Sequence, residues 1–194
     1  MAFWKGSPLA RFTPVAALVA LDQWSKKAVF AWLEPLSGHH RAPLLGDGLA
    51  FWTSCNRGAA FGQFGDHPTV LVLGRAGAVL FLGWLLLRAE TRPRLALVAM
   101  ALVLSGALGN LIDNLWTGCQ VGGHFRGVRD FIDVWYQPFL GIDKHFPAFN
   151  VADSCITIGA CAWIASGFHR QPRSAELPGS AAQPTLGKPR PPGD

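Results

Sequence analysis

Four apolar stretches limit how this chain can fold: Phe12 to Trp32, Thr69 to Leu87, Arg94 to Trp116 and Phe149 to Phe168. A helix rises 1.5 Å per residue, so about 20 residues cross the roughly 30 Å hydrocarbon core of a bilayer, and each stretch is long enough to span. The second is interrupted by Arg75, a charge that has to snorkel toward headgroups or find a partner. Half of the 194 residues are hydrophobic and only 15% are charged, a balance too apolar for an ordinary soluble domain.

The 17 Lys and Arg outnumber the 12 Asp and Glu, giving a formal charge of +5. These cations do not form a stripe interleaved with stacking aromatics, so nucleic acid is not an expected partner. They flank the apolar runs instead. Lys5 and Arg11 precede the first, Arg88, Arg92 and Arg94 fill the link between the second and third, and Arg170 and Arg173 follow the fourth. By the positive-inside rule these segments share the cytoplasmic side, which puts both termini inside. The first run lacks a small-residue cleavage site and carries Asp22, Gln23, Lys26 and Lys27, so it reads as a retained anchor rather than a removed signal.

Two segments then lie outside, Leu33 to Pro68 and Thr117 to Ala148. Short alternating pieces such as "GLAFWTSCN" predict strands or a small sheet resting on the membrane surface. Trp32, Trp52, Trp116 and Trp135 fall near boundaries or in these outer segments, as an interfacial aromatic belt would. Residues 1–169 read as one membrane domain of four helices. The Pro-, Ser-, Ala- and Gly-rich tail, 170–194, reads as disordered and cytoplasmic.

Five polar clusters stand at or near the ends of the apolar runs: "DQWSKK" from Asp22, "NRGAAFG" from Asn56, "GALGNLIDN" from Gly106, "VRDFIDVW" from Val128 and "FNVAD" from Phe149. With both termini inside, all five map to the outer half of the membrane or just beyond it, where they can converge. Asn110 and Asp113 are three residues apart, as are Asn150 and Asp153, so on helices each pair shares a face. Gly106 and Gly109 repeat that spacing and permit close helix approach.

Simpler readings stand beside the functional one. Asp153 at a helix start is also a cap or a first-turn acid favoured by the helix dipole. Asp113 near the outer end of its helix has the wrong sign for that, and calls for a partner or a function. Asp22 and Lys26 at i, i+4 read first as an intrahelical ion pair. The glycines of "NRGAAFG", Gly58 among them, read as turn residues. Cys155 and Cys161 lie in the last apolar run as small core residues, and a disulfide between Cys55 and Cys119 in the outer segments is left open. His39, His40, His124 and His145 lack zinc-ligand spacing, and no GxSxG elbow is present. Carboxylates remain. Two facing aspartates share one proton, so one acts as base on a water while the other donates to a carbonyl oxygen.

In order, "DQWSK", "NRGAAFG", "GALGNLIDN", "VRDFIDVW" and "FPAFNVADS" resemble the successive motifs of the lipoprotein signal peptidase (signal peptidase II) family, from Asp22 to about Ile158. The resemblance implies a bacterial inner-membrane aspartic peptidase. Such an enzyme removes the signal peptide of a diacylglyceryl-modified prolipoprotein, cutting just before the lipidated cysteine. It further implies a dyad of Asp130 and Asp153, with Asn56, Gly58, Asn110 and Asn150 lining or supporting the site and Asp22, Lys26 and Asp113 holding the scaffold. A small extramembrane sheet around Leu49 to Phe61 would cradle substrate. No metal or organic cofactor is implied. The expected partners are the prolipoprotein substrates and membrane lipids, and the expected state is a monomer.

Two departures stand out. The family usually has an arginine directly after the aspartate of "GNLID", where this chain has Asn114, so a cation is missing unless Arg126 or Arg129 replaces it. The stretch from Asn114 to Arg129 is also longer than the family's usual link, which keeps Asp133 as a rival to Asp130. On a helix those two would share a face, whereas on a strand they would point oppositely. The alternatives are a small transporter, for which no inverted repeat is evident, and a non-enzymatic assembly factor with structural acids.

Overall fold

The structure is a computed structural model that describes residues 8–33, 41–58, 63, 66–89, 93–120 and 124–168. Lys5, His39, His40, Arg92, Arg170, Arg173, Phe61 and the tail lie outside the described residues. A 3-10 turn, Pro8–Phe12, leads into helix α1 (Thr13–Leu33), followed by strands β1 (Arg41–Leu45) and β2 (Leu49–Asn56). Helices α2 (Pro68–Leu87) and α3 (Arg94–Ile112) come next, and α3 runs on as a π turn, Asp113–Thr117. Strand β3 (Val128–Trp135), the short helix α4 (Gln137–Leu140), strand β4 (His145–Phe149) and helix α5 (Val151–Phe168) complete the order.

The fold is helix-rich with one small sheet of four antiparallel strands, in the order β1-β2-β3-β4. Both segments expected to hold strands supply them. "GLAFWTSCN" becomes β2, which sets Ser54 opposite Asp130 and Ala50 opposite Asp133. Phe149, read as the start of the fourth apolar run, ends β4 instead, and α5 begins two residues later. By length and composition, α2 and the stretch Arg94–Thr117 are each able to cross a membrane, while the apolar stretch Val151–Ser166 of α5 is shorter. Helix α1 is as long but carries Asp22, Lys26 and Lys27.

Helix α2 turns a large apolar face outward, with Leu73 66% and Leu80 75% exposed. An unbroken apolar face of this kind is a liability in water and is what a lipid-facing helix presents. Its inner side joins one apolar cluster, formed by Val15, Leu86, Leu97, Met100 and Leu104. A second cluster, Val29, Leu33 and Phe131, lies under the sheet with Phe51 packed against it. Along α1, Asp22 and Lys26 fall between Val15 and Val29, so the polar residues form a layer between the two clusters. Helices α3 and α5 approach closely there. A Cβ on Gly106 would overlap the Ala152 carbonyl, and one on Gly109 would lie 2.6 Å from Asp22 Oδ2.

Candidate active site

Helix α5 opens with a reciprocal cap, in which Asn150 Oδ1 accepts from the Asp153 N–H at 2.9 Å and Asp153 Oδ2 accepts from the Asn150 N–H at 3.2 Å. The N-cap and N3 residues thus satisfy each other's orphan donors. The capping reading of Asp153 holds, and it leaves Oδ1 free of the cap. That oxygen accepts from Asn110 Nδ2 at 2.8 Å. Asn150 is fully buried and gives its own amide nitrogen to Asp130 Oδ1 at 2.7 Å.

Lys26 fixes the orientation of Asn110. Its ammonium is fully buried, donates to Asn110 Oδ1 at 2.9 Å, and lies 2.8 Å from Asp22 Oδ2 and 3.3 Å from Asp113 Oδ2. With the amide oxygen committed to a cation, only the amide nitrogen is left to face Asp153. The expected i, i+4 pair of Asp22 and Lys26 is present, and it also reaches across helices: Asp22 Oδ1 accepts from the Ala152 N–H at 2.9 Å.

Asp113 has the partners its position demanded. Its Oδ1 accepts from Arg129 Nη2 at 2.7 Å and its Oδ2 from the Arg129 N–H at 2.9 Å, which ties the end of α3 to β3 one residue before Asp130. Thr117 Oγ1 adds a third donor at 2.8 Å.

On strand β3, Asp130 and Asp133 are three residues apart and therefore face opposite ways. Asp130 enters the polar layer. Asp133 is held within the sheet, accepting from Arg41 Nε at 2.9 Å, with His145 Nδ1 2.7 Å from its other oxygen. Asn56, at the end of β2, accepts the Gly58 N–H at 2.8 Å and hydrogen-bonds Asp130. Gly58 is buried at this turn, in keeping with its reading. Burial, and next the charge of Asp153, push the Asp130 carboxyl up to about 7, against the hydrogen bonds from Asn150 and Asn56 and the charge of Lys26.

The cysteine pairing left open by the sequence is a disulfide, Cys55–Cys119, with Cα atoms 6.0 Å apart. It fastens the residue before Asn56 to the segment after the π turn. Neither replacement cation expected for the site turns toward the two carboxylates. Arg126 Nη1 donates to the Gly118 carbonyl at 3.1 Å and Arg129 is held by Asp113. Arg75, for which the sequence demanded headgroups or a partner, donates to Asn114 Oδ1 and to the Gly58 carbonyl. The sequence did not point to these contacts, nor to those of Gln23, which donates to Asp22 and to the Gly109 carbonyl. The one sequence signal for Arg75 was a charge inside an apolar run.

The family model described as signal peptidase (SPase) II matches residues 15–169. A lipoprotein signal peptidase of Solibacter usitatus is 35% identical over 153 residues, covering 76% of this chain and 84% of that one. One from Acinetobacter baylyi is 37% identical over 147 residues, covering 73% and 72%. Among solved structures, a bacterial membrane enzyme determined by the in meso method at 2.3 Å superposes with a TM-score of 0.64 at 26% identity, covering 81% of this chain and 87% of its own. Another, at 1.9 Å, gives 0.63 at 26% identity with 83% and 94% covered. The matched span holds every residue of the polar layer from Asp22 to Asp153, and the chain belongs to the signal peptidase II family.

Proposed function

We propose that this protein is an aspartic peptidase that removes the signal peptide from diacylglyceryl-modified prolipoproteins, cutting just before the lipidated cysteine, with Asp130 and Asp153 as the catalytic pair. The observation that carries the assignment is Asn150, which donates to both carboxylates from one buried position. A pair held this way titrates as a unit and keeps one proton near neutral pH. Its ionised member takes a proton from a water, which attacks the scissile carbonyl carbon, while the protonated member donates to the carbonyl oxygen. As the tetrahedral intermediate collapses, the C–N bond breaks and a proton passes from the pair to the leaving amine. Asn56, Gly58, Asn110 and Asn150 orient the pair or the substrate backbone, and Asp22, Lys26 and Asp113 fix the helices.

Four helices, α1, α2, α3 and α5, cross the bacterial inner membrane in this reading, with both termini in the cytoplasm and the sheet on the outer face. The disulfide supports that orientation independently of the arginine count, because such bonds persist in oxidising compartments and are rare in the cytosol. Residues 1–169 form the peptidase domain, 170–194 a dispensable cytoplasmic tail, and the enzyme acts as a monomer among membrane lipids. Family membership sets aside the transporter and assembly-factor readings.

The test is cleavage of a diacylglyceryl-modified prolipoprotein by the purified protein in detergent. Asp130→Asn and Asp153→Asn are expected to lose about 1,000-fold or more in kcat/KM while remaining folded, and Asp133→Asn to retain turnover. Full activity in Asp130→Asn would remove it from the pair.

A further inference from the structure

Arg75 is the only charged residue of α2, two turns into a helix whose other side chains are apolar except for Thr69 in its first turn. Such a charge is expensive in a membrane-length helix unless it has a partner. Its Nη1 donates to Asn114 Oδ1 and its Nη2 to the Gly58 carbonyl at 3.4 Å. Asn114 is preset for this contact. It is buried in the π turn, and its Nδ2 donates to the Arg126 carbonyl at 2.7 Å, which leaves the amide oxygen for Arg75.

From Gly58 the contacts run on to the carboxylates. The Gly58 N–H donates to Asn56 Oδ1 at 2.8 Å, so the Asn56 amide nitrogen is the group left to meet Asp130. Arg75 is also within electrostatic reach of Asp153, Asp130 and Asp113, of Asp153 most strongly. The layer holds four carboxylates, Asp22, Asp113, Asp130 and Asp153. Lys26 lies against Asp22 and Asp113, and Arg129 against Asp113. A single proton on the Asp130–Asp153 pair leaves three negative charges, and a third cation is needed to balance them.

Resting on the peptidase reading above, we propose that Arg75 is a positioning residue of the reaction: it clamps the Asn56–Gly58 turn against Asn114 and supplies the third cation that keeps the aspartate pair at one proton. A cation at position 114 could not accept from Arg75 and would face it with like charge, so the residues at 75 and 114 work as a pair and their chemistry is exchangeable only together.

The experiment measures kcat/KM from pH 5 to 9 on a diacylglyceryl-modified prolipoprotein for the full chain, R75Q, R75K, N114R and R75Q/N114R, with thermal unfolding of each. R75Q is expected to lose about 10- to 100-fold, the scale of a misplaced catalytic group. Its acid limb should move to higher pH, because a carboxylate deprived of a nearby cation is harder to ionise. R75K keeps the charge and with it the wild-type acid limb. N114R falls because two guanidinium groups meet, and R75Q/N114R recovers at least about tenfold over the product of the single losses. Should R75Q fail to fold, R75K and the double variant carry the test. A displaced acid limb in R75K, or a double-variant loss equal to the product of the singles, overturns the role. So does a folded R75Q within twofold of wild type on an unmoved profile. A folded wild type that cleaves nothing overturns the peptidase reading, and this role with it.

Discussion

Asn150 donates its side-chain amide to Asp130 Oδ1 at 2.7 Å from the very position that caps the helix carrying Asp153. One residue therefore sets strand β3 against the start of α5 and holds two acids that would otherwise repel. The geometry of the pair is a by-product of ending a strand and starting a helix across a single residue, since β4 stops at Phe149 and α5 starts at Val151.

Asp130 is a cost to the fold. Its carboxyl, ordinarily at 3.8, is pushed up to about 7 by burial and then by Asp153. Between those values the folded state keeps a proton that the unfolded state has lost, so the contribution of Asp130 to stability falls as pH rises from about 4 to about 7 and then changes no further. The displacement sets a ceiling of about 4 kcal/mol on that loss. Asp130→Asn cannot titrate, and its amide oxygen can still accept from Asn150. Thermal unfolding in detergent should give this variant a higher Tm than wild type at pH 8, by several degrees, with the gap closing toward pH 4. A variant less stable than wild type at pH 8 would contradict this account.

Lys26 is fully buried between Asp22 and Asp113, and replacing its ammonium leaves Asp22 with no cation in a dry layer, while Asp113 keeps Arg129. Breaking a buried ion pair by removing one partner costs about 3–5 kcal/mol. Lys26→Met is expected to lower Tm by about 10 °C or more, or to prevent folding. Adding Asp22→Asn removes that unpaired charge and should recover part of the loss, because an amide oxygen can still accept from the Ala152 N–H. If Lys26→Met unfolds at the wild-type temperature, the charge layer contributes nothing.

Much of this site was legible before any coordinates. The three-residue spacings of Asn110 with Asp113 and Asn150 with Asp153 follow from helical periodicity, and the strand reading of "GLAFWTSCN" from alternation. What the sequence left open depends on distant pairings. Asp130 and Asp133 separate only once residues 128–135 are seen to be a strand. Cys55 meets Cys119 across a sequence separation of 64, and Arg75 meets Asn114 across 39. Local patterns carry no information on such contacts. The substitution at Asn114, read alone, suggested a missing charge; the fold supplies a cation beside it from another helix.

The close seam between α3 and α5 yields the last prediction. Helices in lipid gain no hydrophobic energy by associating, so backbone proximity through small residues has to hold them. A Cβ at Gly106 would overlap the Ala152 carbonyl, which is backbone and cannot step aside, and it would also crowd Ile156. Ala152 is in the first turn of α5, one residue before Asp153, so any shift there moves the carboxylate away from Asn110. Gly106→Ala should therefore lower Tm and reduce kcat/KM by about 10- to 100-fold. Gly77 on α2 is the control, because nothing lies within 4 Å of its added Cβ. Gly77→Ala is expected to be neutral or to raise stability by up to about 1 kcal/mol through helix propensity, with unchanged turnover. Equal losses in the two variants would mean that general helix perturbation, and not the seam, controls the site.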